Sequence, residues 1–154
     1  NWMKLDHWGK GLADFGVRGT RTMAVDCSGA GGAPLLVAIV ERIGLIAEPQ
    51  DANNPDAARP TKIAWALPVE GKVAVDGSRY TVTQGDASLT GVVASGQALK
   101  DGAVATEADG VLFTVFTLQQ GAAPTMEVTG EGLDAKVTVG KRTVRFDGKT
   151  LVLE

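Results

Sequence analysis

Cysteine is nearly absent from this chain, with Cys27 its single example, which excludes an internal disulfide and a zinc site built from several thiolates. Histidine is equally scarce: His7 stands alone, too far from Cys27 to give a zinc-ligand spacing. Long apolar runs are missing too. The longest, Pro34 to Val40, falls well short of the roughly 20 residues that span a bilayer as a helix. No basic, apolar and small-residue segment of the signal-peptide type precedes it, although the chain starts at Asn1 rather than Met, which leaves export open. Basic charge is not in excess, since 15 Lys and Arg stand against 18 Asp and Glu for a net charge of −3. The cations are scattered rather than gathered into the stripe that neutralises phosphates, so neither nucleic acid nor a membrane is an expected partner.

What is present points to an ordinary globular domain. The 154 residues are 44% hydrophobic and 21% charged, enough to bury a core without staples. Residues 1–154 read as a single domain, with 1–17 as an N-terminal loop or short helix packed on it: Trp8, Leu12 and Phe15 fall at helical spacing, but Gly9, Gly11 and Gly16 weaken that helix. Beyond it the dominant signal is period two. Met23 and Val25 share one face of a strand and Thr22 and Ala24 the other; Pro34 to Ile43 reads as a strand buried on both sides. Alternation continues at Ile63–Leu67, Val73–Val75, Tyr80–Val82, Ser88–Ala94, Val111–Leu118, Met126–Val128, Val137–Val139, Val144–Phe146 and Leu151–Leu153. Asp76-Gly77, Asp101-Gly102, Asp109-Gly110 and Asp147-Gly148 supply turns that need positive φ. The fold class is therefore all-β, an antiparallel β-sandwich of about ten to eleven short strands with little or no helix.

The glycine-rich stretch Asp26–Pro34, "DCSGAGGAP", raises the question of a phosphate cradle. Such a cradle needs a helix directly after its glycines to present free N–H groups. Here Pro34 and the strand-like "LLVAIVERI" follow, and neither nucleotide-binding spacing is met. The loop is a hairpin connection in which glycine provides positive φ.

Few residues carry chemistry. His7 and Tyr80 together would supply a base and an acid for removing the proton α to a uronate carboxylate; the alternative makes His7 a residue near a terminus and Tyr80 a packed strand residue. Ser28, Ser78, Ser88 and Ser95 lack a nucleophile elbow, and Cys27 reads as a small hydrophobe. In "DANNPDAARP", Asp51, Asn53 and Asp56 offer oxygen ligands for calcium. The EF-hand pattern fails, because Asp56 stands where glycine is needed and Lys62 where a bidentate Glu should be. A looser calcium site competes there with a solvated loop shaped by Asx turns. No other cofactor is expected. Trp2 and Trp8 could stack on sugar rings, or cover an open sheet edge or face; Trp65, between Ile63 and Leu67, reads as core.

The succession "VDCSGAGGAPLLVAIVERI" and "TKIAWALPVEGKVAVDGSRYTVTQGDASLTGVV", over residues 18 to 95, resembles the β-sandwich region of heparinase II/III-like polysaccharide lyases. In both, a strand ending in Asp leads through a hairpin to an apolar strand ending in acidic-Arg-Ile, then a Trp-bearing strand and a "VDG" hairpin. The resemblance implies a non-catalytic accessory β-sandwich, part of a longer protein. Its partners would be the catalytic domain of the parent chain and polysaccharide, and its location secreted or periplasmic. None of the family's catalytic motifs maps onto this chain. Two alternatives stand beside it: a carbohydrate-binding module using Trp2 and Trp8, and a lyase using His7 and Tyr80.

Overall fold

The structure, a computed structural model, describes residues 17–45, 63–108 and 110–154. Twelve strands account for most of them. The largest sheet has six strands in the order β1 (Val17–Asp26), β2 (Leu35–Leu45), β8 (Val111–Gln120), β6 (Ala87–Val93), β5 (Arg79–Gln84) and β4 (Lys72–Asp76). A four-stranded sheet runs β12 (Leu151–Leu153), β11 (Arg142–Phe146), β10 (Lys136–Val139) and β9 (Met126–Thr129). A ribbon pairs β3 (Ile63–Ala66) with β7 (Ala105–Ala108). Every pairing is antiparallel, and among the described residues the one helical element is a 3-10 turn at Gly132–Asp134. The all-β sandwich expected from the alternation is the observed architecture.

Alternation explains the layers. On one face of the large sheet Leu36, Ala38 and Val40 of β2 join Phe113 and Val115 of β8 and Val92 of β6. They pack against Met126, Val137, Val139, Val144, Phe146 and Leu151 of the small sheet. On the opposite face Leu112 of β8 and Tyr80 and Val82 of β5 meet Trp65 of the ribbon and Leu99 and Val104 of the following loop. Strand β8 is thus buried on both sides over most of its length, and its buried Thr114 and Thr117 donate to backbone carbonyls of β6. Each buried apolar side chain contributes about 1.5–3 kcal/mol relative to leaving it in water.

Strand β7, "ATEA", has no counterpart in the alternation pattern. Its two alanines and a glutamate have weak strand propensity, and it forms because β3 offers an edge: Ala64 pairs with Glu107 and Trp65 with Thr106. The first strand also runs longer than the apolar alternation suggests, beginning at Val17. Residues 1–16, expected as a loop or short helix, lie outside the described residues.

The glycine-rich loop does turn the chain, since β1 and β2 form a hairpin with Asp26 opposite Leu36. It does a second job as well. Lys141 N in the β10–β11 turn donates to Ala30 O at 3.2 Å, and a Cβ on Gly140 would sit 2.9 Å from the carbonyl carbon and oxygen of Gly31. The loop therefore ties the two sheets together backbone to backbone, a closeness only glycine allows. Gly140 also has φ +58°. Gly77 in the β4–β5 turn has φ +59° but open space around its missing Cβ. Gly77→Ala should therefore lose only the backbone strain, about 1–2 kcal/mol, while Gly140→Ala adds a backbone clash and loses distinctly more. Urea denaturation of the two variants checks the difference.

Candidate functional site

Most residues singled out from the sequence as chemistry-bearing fall outside the described residues: His7, Trp2, Trp8, Asp51, Asn53 and Asp56. Tyr80 is described, and it is a core residue at 2% exposure. Its strand partner across β5–β6 is Gly91, whose neighbour across β6–β8 is Phe116. A Cβ on Gly91 would lie 2.4 Å from the Tyr80 Cζ and 2.8 Å from the Phe116 Cβ, so the ring lies over the bare backbone of β6. The hydroxyl then reaches Thr114 Oγ1 at 3.1 Å, and Thr114 in turn donates to Val92 O at 3.0 Å. Burial pushes the phenol up to about 12, opposed in part by the Thr114 hydrogen bond. Tyr80 thus stays protonated, and its hydroxyl is spent on a structural contact. Gly91 was legible as a glycine inside a strand, the usual mark of a close approach, but its partner became visible only once the register was known.

The Asp26 carboxylate is the best-connected polar group at the sheet junction. Its Oδ1 accepts from Ser28 N at 2.8 Å, and its Oδ2 accepts from Arg142 Nε at 2.8 Å. Arg142 Nη2 also donates to Ser28 Oγ at 3.3 Å. Hydrogen bonds from Ser28 first, and Arg142 after them, hold the Asp26 carboxyl below the usual carboxylate range. This pair bridges β1 to β11 and closes the same junction as the glycine loop.

An open cleft of about 610 Å³ lies where β9 parts from β5 and β6, lined among others by Arg79, Val92, Ser95, Gln97, Val128 and Glu131. Ser95 and Gln97 satisfy each other and the β8 backbone. None of the lining residues is aromatic, so the cleft lacks the flat ring on which a pyranose would stack. Among the described residues no group of three or more His, Cys, Asp or Glu is placed to hold a metal ion, and no helix is long and apolar enough to cross a membrane.

The unusual surface lies elsewhere. The first strand is turned inside out relative to its side-chain sizes. Ala24 packs toward the main core, where β12 lies against β1, while Met23 and Val25 point outward at 60% and 50% exposure. The register continues this outer face across the sheet: Met23 stands beside Ile39, Val25 beside Val37 and Phe116, and Leu35 beside Leu118 and Leu89. Leu118 is 42% exposed. Among the described residues the only charges at this end of the face are Arg21 and Glu41, paired with each other. The result is one neutral apolar face beside the area covered by the β3–β7 ribbon. Period two placed Met23 and Val25 together, but could not say which face of β1 the small sheet would cover.

Two outcomes follow from these contacts. Tyr80→Phe should cost about 0.5–1.5 kcal/mol, one buried hydrogen bond, while Thr114 keeps its bond to Val92; chemical denaturation reads this directly. Because Asp26 is lowered in the fold, its contribution is present above the ordinary carboxylate pKa and is lost as pH falls through the folded value. Asp26→Asn should be less stable than the parent chain at neutral pH, and the gap should shrink below about pH 4, as followed by urea midpoints across pH.

Comparison of the chain with protein-family models, with curated proteins and with solved structures finds no match, so the functional reading rests on the residues themselves.

Proposed function

We propose that this chain is a non-catalytic accessory β-sandwich of a polysaccharide-degrading enzyme of the heparinase II/III-like kind, and that its neutral apolar face packs against the catalytic domain of the parent protein. The observation that carries the reading is the inverted first strand, which packs the partly buried Ala24 against the core and leaves Met23 and Val25 in water beside Leu118. Exposing the larger side chains of a strand is unfavourable for an isolated domain and is the ordinary arrangement of a surface that another surface covers. The resemblance over residues 18 to 95 supplies the kind of parent. The commitment of the Tyr80 hydroxyl to Thr114 favours an accessory role over a lyase built on His7 and Tyr80. By the same resemblance the protein acts outside the cytoplasm.

The test uses the complete protein that contains this segment. Val25→Asp together with Leu118→Asp should leave the melting of the isolated chain nearly unchanged, since both residues are exposed, yet split a single calorimetric transition of the complete protein into two. If the parent protein already melts in two independent steps, the docking reading fails. Retention of the isolated chain on an acidic polysaccharide, abolished by Trp2→Ala and Trp8→Ala, would replace it with the carbohydrate-binding module.

A further inference from the structure

The large sheet has a cover on each face, and the two are attached differently. The small sheet is tied to it by backbone and charge as well as by apolar contact: Lys141 N donates to Ala30 O and Arg142 Nε to Asp26 Oδ2. The opposite cover consists of β3 with Leu67 and Val69 after it, and β7 with the loop 98–104 before it. Its two strands pair with each other and, among the described residues, with no strand of the large sheet. Further hydrogen bonds run within the unit: Leu67 N donates to Val104 O at 2.9 Å, Lys100 N to Ala105 O at 2.8 Å and the Thr106 hydroxyl to Ala98 O at 2.6 Å. Among the described residues one backbone hydrogen bond joins the unit to the large sheet, from Leu99 N to Gly77 O at 2.9 Å.

Apolar contact holds this cover down. Trp65, Leu99 and Val104 are buried against Tyr80, Val82, Val93 and Leu112, with Leu67 and Val69 partly buried beside them. The cluster shares no residue with the one between the two sheets, so its loss leaves the contacts of the sandwich in place. A two-stranded ribbon is marginal on its own in water. Here β3 and β7 are also far apart in the chain, so no tight turn supports their pairing.

We infer that the β3–β7 ribbon and its flanking loops form a lid, which opens and unravels as one unit while both sheets of the sandwich stay folded. Segments with few ties to the rest of a fold open at lower free energy than its core. Opening uncovers Tyr80, Val82 and Leu112. These belong to the same sheet face as Met23, Val25 and Leu118: Tyr80 stands opposite Gly91, Gly91 opposite Phe116, Phe116 opposite Val37 and Val37 opposite Val25. The closed chain therefore presents the β1 end of an apolar face, and the open chain presents that face from β1 to β5. The lid sets how much of it a neighbour can meet, whatever that neighbour is, so the inference stands apart from the accessory-domain reading.

Native-state hydrogen exchange of the 154-residue chain, followed by NMR in rising sub-denaturing urea, tests the inference. The amides of Leu67, Leu99 and Lys100 should exchange through one opening with a shared, shallow urea dependence. They should exchange at least about tenfold faster than the amides bonded within the β2–β8 and β10–β11 ladders. Val137→Ala, in the core between the sheets, should speed the ladder amides by about tenfold or more and leave those three unchanged. If that variant folds poorly, the urea dependence of the parent chain decides the matter. A single urea dependence for ribbon and sheets overturns the inference, because the chain then opens only as a whole. So do three different urea dependences for Leu67, Leu99 and Lys100, which is fraying rather than a lid, and so does a Val137→Ala variant that speeds both sets alike.

Discussion

Both faces of β8 are buried, and that double burial sets the terms for the rest of the molecule. Phe113 and Val115 must find partners in the small sheet, while Leu112 and Thr114 must find theirs under the ribbon and Tyr80. A strand so placed cannot slip by one residue, because the slip would exchange its two sets of side chains between cores of different shape. The strands that flank it, β2 and β6, inherit a fixed register from it. The apolar row from Val25 through Val37 and Phe116 to Gly91 and Tyr80 follows from that register rather than from any local preference.

Two devices let the layers approach closely enough to exploit it. At Gly91 the absence of a side chain makes room for the Tyr80 ring to cross β6. At Gly140 the absence of a side chain lets its backbone touch that of Gly31, with the Asp26–Arg142 pair closing the same seam. Glycine serves packing in both places, and in the second it also serves conformation. Polar chemistry in the described residues is likewise structural: the Tyr80 and Thr114 hydroxyls and the Asp26 carboxylate are all engaged in holding strands together. The described surface of least ordinary character is the outward face of β1, β2 and β8, where Met23, Val25 and Leu118 are exposed.

Much of this was legible before any coordinates. Period two over short segments, broken by Asp-Gly pairs, specifies antiparallel strands because successive side chains must point to opposite faces. All four of those glycines do take positive φ. The apolar run after Pro34 announced a strand, of which Leu36, Ala38 and Val40 meet the small sheet while Leu35 and Ile39 on the other side are only partly covered, and Trp65 announced itself as core. Strand β7 was illegible, since alanine and glutamate have no strand preference and the pairing with β3 is a tertiary event. The candidate surface was half legible: the sequence places Met23 with Val25, but says nothing about which way that face turns.

The sequence by itself determined the class of fold, the positions of nearly all strands and the hairpin role of the glycine loop, because these depend on alternation and local backbone preference. Only the tertiary structure decided which face of β1 meets the small sheet, that Tyr80 rests on Gly91, and that Asp26 reaches Arg142. Those outcomes depend on how sheets distant in the chain are brought together, and side-chain volume has meaning only against a neighbour that folding supplies.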